Sequence, residues 1–391
     1  MGCGEMQRFS GSSPRANPDG RRSGASPGGV NVKARLQPRG DFLRSPGEER
    51  RAVIIGGGVV GLAAARKLSA SGWRVTVLER GAAGQEASSA AAGMIAPRLE
   101  FREPSPLLEM ALEAWRLYPG FAADLQAETG DRIDLHLDGI LEPLSPDGRE
   151  EAGAPGSSVV AGTDLRELEP ALAPGIERAL FYPGEGSVDC RALVRNLLAS
   201  VLSRGVRLLE STAAGDVAVN GGRVIGVRTG EDLLPAELVI NCAGAWASRI
   251  SVPSAPIEVH PIKGQMALLT GESGPRLPIY SSEVYIVPRS DGRKILGTTV
   301  EDRGFDKSVD PATVERLVSA ARRLCPPLAK AELVDSWAGL RPRSASGEAP
   351  VIGALGPPGY FVAVGHFRNG ILLAPLTAEI LDAEVRSAAR A

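Results

Sequence analysis

Three glycines and a carboxylate are the first residues whose spacing implies chemistry. Gly56, Gly58 and Gly61 form a G-x-G-x-x-G turn. The first glycine permits the tight turn, the second lets a pyrophosphate approach the backbone, and the third lets a helix pack on the preceding strand. Val59 and Val60 open that helix, whose first N–H groups would face the phosphates. Glu79 follows about 20 residues later, where a carboxylate accepts the ribose hydroxyls of an adenosine, with Arg80 beside it. The elements that must position these groups are legible around them. Val53, Ile54 and Ile55 suit a buried parallel strand, residues 62–68 an Ala-rich helix ended at Gly72, and residues 74–78 a second strand. A dinucleotide site is expected here.

A second group of residues is chemically suggestive without being decisive. Residues 85–97 are small, with Ala87, Ser88, Ala92, Gly93 and Met94 among them. Such a run lets backbone come close to a flat ligand such as a flavin ring, though an alanine-rich helix start capped by Ser88 or Ser89 reads as well. Residues 237–246 give a buried strand running into Ala243 and Gly244. Arg341 follows the apolar stretch 337–340, and Arg368 lies in a glycine-bounded turn, residues 365–370. A guanidinium is the natural bidentate partner of a carboxylate and stays charged at any working pH. Tyr285 offers a hydroxyl that would close over a carboxylate or amine. On residue type alone, either arginine also reads as a surface ion pair, and Tyr285 as a half-buried strand aromatic. The turn at 365–370 feeds Ile371, Leu372 and Leu373, a helix start whose dipole would stabilise negative charge on a reduced ring.

With the stretches AAAGMIAP, VINCAGAWA, PIKGQM, YIVPR, WAGLRP and GHFRNGILLAP, the chain resembles the glycine oxidase and D-amino acid oxidase family of FAD enzymes from about Arg51 to Glu384. It is most similar to the glycine oxidase branch that serves thiamine biosynthesis. The resemblance implies non-covalent FAD, since the cysteine that holds flavin covalently in sarcosine oxidases has no counterpart near Gly339 and Leu340. It makes Arg341 the main ligand of the substrate carboxylate, with Arg368 and Tyr285 lining the pocket. Beyond the glycines and Glu79, it implies cofactor contacts from Arg80, Ala87, Ser88, Ala92, Gly93, Met94, Ala214, Ala243 and Gly244. His366, Phe367, Arg368, Asn369, Gly370, Ile371 and Leu372 would touch FAD mainly through backbone, so His366 need not act as a base.

The implied reaction passes hydride from a small amino acid to FAD and yields glyoxylate, ammonia and, with dioxygen, hydrogen peroxide. In thiamine biosynthesis the imine would be handed to thiazole synthase. A cytoplasmic homo-oligomer, commonly a tetramer, is implied as well. Two departures leave glycine, sarcosine and small D-amino acids open. Glu283 stands where some members carry histidine, and Val300 where some carry methionine. An inward Glu283 would favour a cationic amine and disfavour a second carboxylate; an outward one is a solvated charge. Lys263 in PIKGQM is expected at the surface, with a place near the oxygen-reacting face as the alternative. A D-amino acid dehydrogenase serving a quinone or carrier, and a flavin-binding protein without turnover, also remain open.

Composition agrees with a two-domain globular enzyme. The chain has 391 residues, 43% hydrophobic and 23% charged, with a formal net charge of −2 that points to no nucleic-acid partner. No apolar run reaches the ~20 residues that span a bilayer. Cys3, Cys190, Cys242 and Cys325 are scattered, as are His136, His260 and His366, so neither a disulfide framework nor a metal centre is expected. Residues 1–50 carry nine basic and five acidic side chains with no periodic apolar pattern. They read as a disordered basic tail or an upstream start assignment, before a transit peptide.

The fold class expected is α/β, a Rossmann-like FAD-binding domain interleaved with an α+β substrate domain on a largely antiparallel sheet. The first would comprise 51–102, 185–256 and 335–391, the second 103–184 and 257–334. Helices are expected at 103–128 (apolar face Leu107, Met110, Leu112, Leu117), 191–203 and 311–325. Strands are expected at 205–209, 223–228, 238–242, 266–270, 284–288 and 294–299.

Overall fold

The structure, a computed structural model, describes residues 49–144, 155–347 and 349–390. Residues 1–48 of the expected tail (1–50) lie outside the described residues, and Cys3 with them.

Val53 to Ile55 are apolar on both sides because both sides of their sheet are covered. This six-stranded sheet runs in the order Val351–Ala354, Tyr360–Val364, Leu238–Asn241, Arg51–Ile55, Arg74–Leu78, Arg207–Leu209, with only the first pair antiparallel. Ala52 and Ile54 face one cluster with the helices Val59–Ala70, Pro106–Thr129, Cys190–Ser203 and Gly370–Ala388. Val53 and Ile55 face the other, against the three-stranded sheet Val217–Asn220, Arg223–Thr229, Asp232–Pro235.

The long helix differs from expectation in its buried face. Leu108, Ala111, Ala114, Tyr118, Ala122 and Leu125 are buried, whereas Leu117 is 38% exposed and Leu107, Met110 and Leu112 are only partly covered. Alanines at this stripe let the helix approach closely, and Tyr118 donates its hydroxyl to the carbonyl of Ile371 at 3.2 Å in the last helix. A stripe of small residues was invisible to a search for leucines.

The second sheet has eight strands, antiparallel except where Ile279–Tyr280 meets Ile140–Pro143. Its order is Glu332–Ser344, Val259–Thr270, Arg293–Gly297, Tyr285–Pro288, Ile279–Tyr280, Ile140–Pro143, Arg178–Tyr182, Ser158–Ala161. The helix Pro311–Leu324 packs on its apolar face. Residues 335–344, expected with the nucleotide-binding layer, are instead the edge of this sheet. Twelve paired positions tie Glu332–Ser344 to Val259–Thr270, and that pairing outweighs any local signal. Arg341 therefore arrives at the site from the second sheet.

Candidate active site

One cavity runs along the C-terminal ends of the parallel strands and on to the eight-stranded sheet, as ligand clefts do in open α/β sheets. At its nucleotide end the sequence motif is dictated by close approach. Gly56 has φ +108°, and a Cβ there would stand 2.4 Å from the carbonyl oxygen of Cys242. A Cβ on Gly61 would stand 2.0 Å from the carbonyl oxygen of Gly56. The Glu79 carboxylate, 8% exposed, accepts the amides of Gly57 (2.9 Å) and Gly81 (2.8 Å). It shapes the turn and still lines the cavity. Ser88 caps the helix of the motif across 29 residues, its Oγ accepting the Val59 amide at 2.9 Å. The first intrahelical bond is Leu62 N–H to Gly58, which leaves the amide of Val60, a residue that lines the cavity, for an anion. Arg80 lies 3.6 Å over the Trp246 ring, Trp246 meets Phe305, and Arg249 covers Phe305 at 4.0 Å.

The middle of the cavity is walled by Ala87, Ser88, Ala92, Gly93 and Met94 on one side and by Ala243, Gly244 and residues 363–371 on another. Phe367 holds φ +48°, and its amide donates to Pro342 at 2.7 Å, fixing the turn against the strand that carries Arg341. His366 is 3% exposed, with Nε2 3.0 Å from Thr377 Oγ1, and burial pulls its pKa down to about 4. It is neutral and occupied. These residues fit FAD: a glycine cradle with an amide left for an anion, a carboxylate beside it, and a long groove of small residues. A Cβ on Gly339 would meet the Ala90 methyl at 2.7 Å, so this position has no room for a tethering side chain.

At the second sheet, Arg341 is held by three acceptors. Nη1 donates to the carbonyls of Thr299 (3.1 Å) and Lys263 (3.4 Å), and Nη2 to Thr298 Oγ1 (2.7 Å). Desolvation lowers its pKa from the ordinary arginine value. Tyr285 stands beside it with its hydroxyl 3.4 Å from Met266 Sδ, and burial pushes its pKa up, which keeps the phenol protonated. Two glycines make room for this pair. A Cβ on Gly264 would fall 2.3 Å from Arg341 Nη1, and one on Gly297 would fall 2.5 Å from the Tyr285 hydroxyl.

Residues 51–383 match the sequence profile of the DAO family, described as FAD dependent oxidoreductase. The chain belongs to this family. Its relatives include a glycine oxidase from Geobacillus kaustophilus, 35% identical over 83% of this chain and 89% of that protein. Another, the bifunctional protein ThiO/ThiG from Trichormus variabilis, is 35% identical over 85% of this chain and 52% of that protein, so this chain spans about half of it. The crystal structure of the Geobacillus kaustophilus glycine oxidase superposes with a TM-score of 0.80 at 33% identity, covering 86% of this chain and 95% of that one. The protein is an FAD-dependent amine oxidoreductase. Among the described residues, no helix is long and apolar enough to cross a membrane and no cluster of His, Cys, Asp or Glu is arranged for a metal.

Within this family frame, Arg341, Arg368 and Tyr285 line the same cavity as the glycine turn, Glu79, Arg80, Ala214 and Asn369 to Ile371. Gly61 and Leu372 do not line it: Gly61 serves helix packing, and Leu372, 2% exposed, belongs to the core. Arg368 pairs with Glu100 at 2.7 Å at the rim. Glu283 lines the cavity, yet its side chain is 60% exposed and pairs with Arg323, so at this position it is a solvated charge. Val300 is 59% exposed. Lys263, expected at the surface, is 3% exposed and reaches Asp306 at 3.0 Å, because its strand lies second from the sheet edge and is covered on both faces. The expectation missed Thr298, Gly264 and Gly297. Only the glycines in PIKGQM and ILGTT carried any signal, and nothing local tied them to residues about 80 and 10 positions away.

Proposed function

We propose that this protein oxidises glycine, with sarcosine and small D-amino acids as related substrates. Glycine, dioxygen and water become glyoxylate, ammonia and hydrogen peroxide. The observation that carries this reading is Arg341, a guanidinium inside the cavity with no carboxylate among the described residues at ion-pair distance. A desolvated cation without an ionic partner is costly unless a ligand supplies one. The glycine oxidase relatives support a small amino acid as that ligand, and the fused ThiO/ThiG relatives support thiazole synthase as the recipient of the imine. By the same resemblance the protein works as a cytoplasmic homo-oligomer.

Bound FAD supplies a two-electron acceptor for the amine and the centre at which dioxygen becomes hydrogen peroxide. The chain supplies position and charge. Arg341 takes the carboxylate in a desolvated setting that strengthens the pairing, and so fixes where the Cα–H points. The protonated Tyr285 donates a hydrogen bond to the same carboxylate or accepts one from the amine. His366 takes no proton, since it is neutral and bonded to Thr377. The ammonium proton leaves to water at the rim, where Glu100 and Arg368 stand.

Anaerobic mixing with glycine, sarcosine, D-alanine and D-proline tests the reading. Loss of the oxidised-flavin absorbance with glycine, then peroxide on admitting air, is the expected result. Reduction only by larger D-amino acids would reassign the substrate, and FAD left oxidised by all four would end the proposal.

A further inference from the structure

Arg341 has five N–H donors. Nη1 faces the carbonyls of Thr299 and Lys263, and Nη2 faces Thr298 Oγ1 at 2.7 Å. The two threonine acceptors are neighbours: the Thr298 hydroxyl donates to the Thr299 carbonyl at 3.3 Å. Its proton is thus committed, and the oxygen turns a lone pair to the guanidinium. Two acceptors this close together, one on each terminal nitrogen, occupy the outer edge of the fork. The second carbonyl on Nη1, that of Lys263, uses its remaining donor. What is left is one N–H on Nη2 and the N–H on Nε, side by side on the other edge, with the Tyr285 hydroxyl also interacting with the guanidinium.

We propose that Thr298 is a positioning residue for substrate: its hydroxyl holds Arg341 so that the Nε/Nη2 edge is presented to the carboxylate as a bidentate fork. This deepens the proposed function and rests on its assignment of Arg341. The support behind Thr298 is itself rigid. Thr299 Oγ1 accepts the Gln265 amide at 3.0 Å and donates to Glu301, and the Gln265 side chain spans Glu301 (2.7 Å) and the Asp310 amide (2.7 Å). The loop that presents the hydroxyl is thereby tied to the strand next to Arg341 and to the cap of the helix Pro311–Leu324. Nothing in residue type marks Thr298. Its role comes from facing an arginine 43 positions on.

The test compares Thr298→Val, which keeps the shape and loses the oxygen, with Thr298→Ser, which keeps the oxygen. Calorimetric titration of the FAD-loaded protein with glycolate, a carboxylate without an amine, reads the fork directly. Thr298→Val is expected to weaken glycolate about tenfold, the effect of one charge-assisted hydrogen bond, and Thr298→Ser to restore it within about twofold. With glycine as substrate the loss should fall on KM, with kcat changed far less. Equal binding by wild type and Thr298→Val would overturn the proposal, as would tighter binding by the valine variant, which would make Thr298 a stand-in that the carboxylate displaces. Serine behaving like valine would overturn it as well. If glycine proves not to be the substrate, the glycolate titration still decides the role of Thr298. If wild type binds no glycolate at all, the assignment of Arg341 falls, and this proposal with it.

Discussion

Asp189 and Arg293 tie the helix Cys190–Ser203 to the eight-stranded sheet through one carboxylate. Asp189 Oδ1 caps the helix Cys190–Ser203 by accepting the amides of Arg191 (2.8 Å) and Ala192 (3.1 Å), while Oδ2 accepts Arg293 Nη2 at 2.6 Å. Arg293 opens the strand Arg293–Gly297, which pairs with the strand of Tyr285 and leads into Thr298. A helix cap beside Gly93, in the middle of the cavity, is thereby tied to the strand that leads into Thr298 at the substrate end.

Asp189→Ala removes both functions and is expected to cost about 2 kcal/mol in denaturant unfolding, one part for the cap and one for the charged hydrogen bond. Asp189→Asn keeps a capping oxygen and should cost about half as much. Equal losses in the two variants would show that the cap contributes nothing.

Arg341→Lys keeps the charge and loses the planar fork. The expected outcome is a fall of about 10²-fold in kcat/KM with FAD content unchanged, since a point charge cannot make two parallel bonds to a carboxylate. Steady-state kinetics beside the absorbance ratio of protein to flavin measures both.

Ser88→Ala strips the Val59 amide of its acceptor at the start of the glycine-motif helix. Cofactor retention should weaken about tenfold, the typical worth of an N-cap, with kcat of the loaded enzyme preserved. Titration of stripped protein with FAD, followed by flavin fluorescence, gives the number.

His366 contributes a loss of stability on acidification, opposed over the same range by Glu185, whose carboxyl pKa burial raises to about 7. Burial lowers its folded pKa to about 4, below the ordinary histidine value of 6.5. Between those values this residue binds more protons in the unfolded chain than in the folded one, so its contribution is full above about 6.5 and is lost as pH falls toward 4. The contribution lost between pH 7 and pH 5 is about 2 kcal/mol. His366→Gln should remove that loss from the unfolding profile without introducing or removing a break in the pH dependence of kcat/KM.

Glu283 and Arg323 are both more than half exposed, and pairs of that kind contribute little. Glu283→Gln is expected to change kcat/KM for glycine by less than about twofold. A large gain with dicarboxylic amines would show that the charge reaches the substrate after all.

What was legible in the sequence was local. Gly56, Gly61 and Glu79 announce themselves because a turn, a helix and a carboxylate must follow one another at fixed spacing, and the chain has no other way to satisfy them. Arg341 was legible as chemistry but not as placement. Its strand stands at the edge of the second sheet, fixed by pairing with Val259–Thr270, some 75 residues away. Lys263 misled for the same reason: a lysine looks solvated until the strands on either side of it are known. Leu372 misled by proximity, since a residue one step beyond the lining Ile371 turns into the core of the helix pack.

Gly264 and Gly297 give the site an unusual way to fail. A methyl at either position is aimed at the tip of a side chain, Arg341 or Tyr285, and not at backbone. Those tips can swing aside while both sheets stay paired and the glycine cradle stays open. The outcome is a protein that expresses, purifies and turns yellow with FAD, yet turns nothing over. Colour and yield, the usual checks on a flavoprotein, are blind to this lesion, and any library screened on them alone would carry such silent variants through as successes.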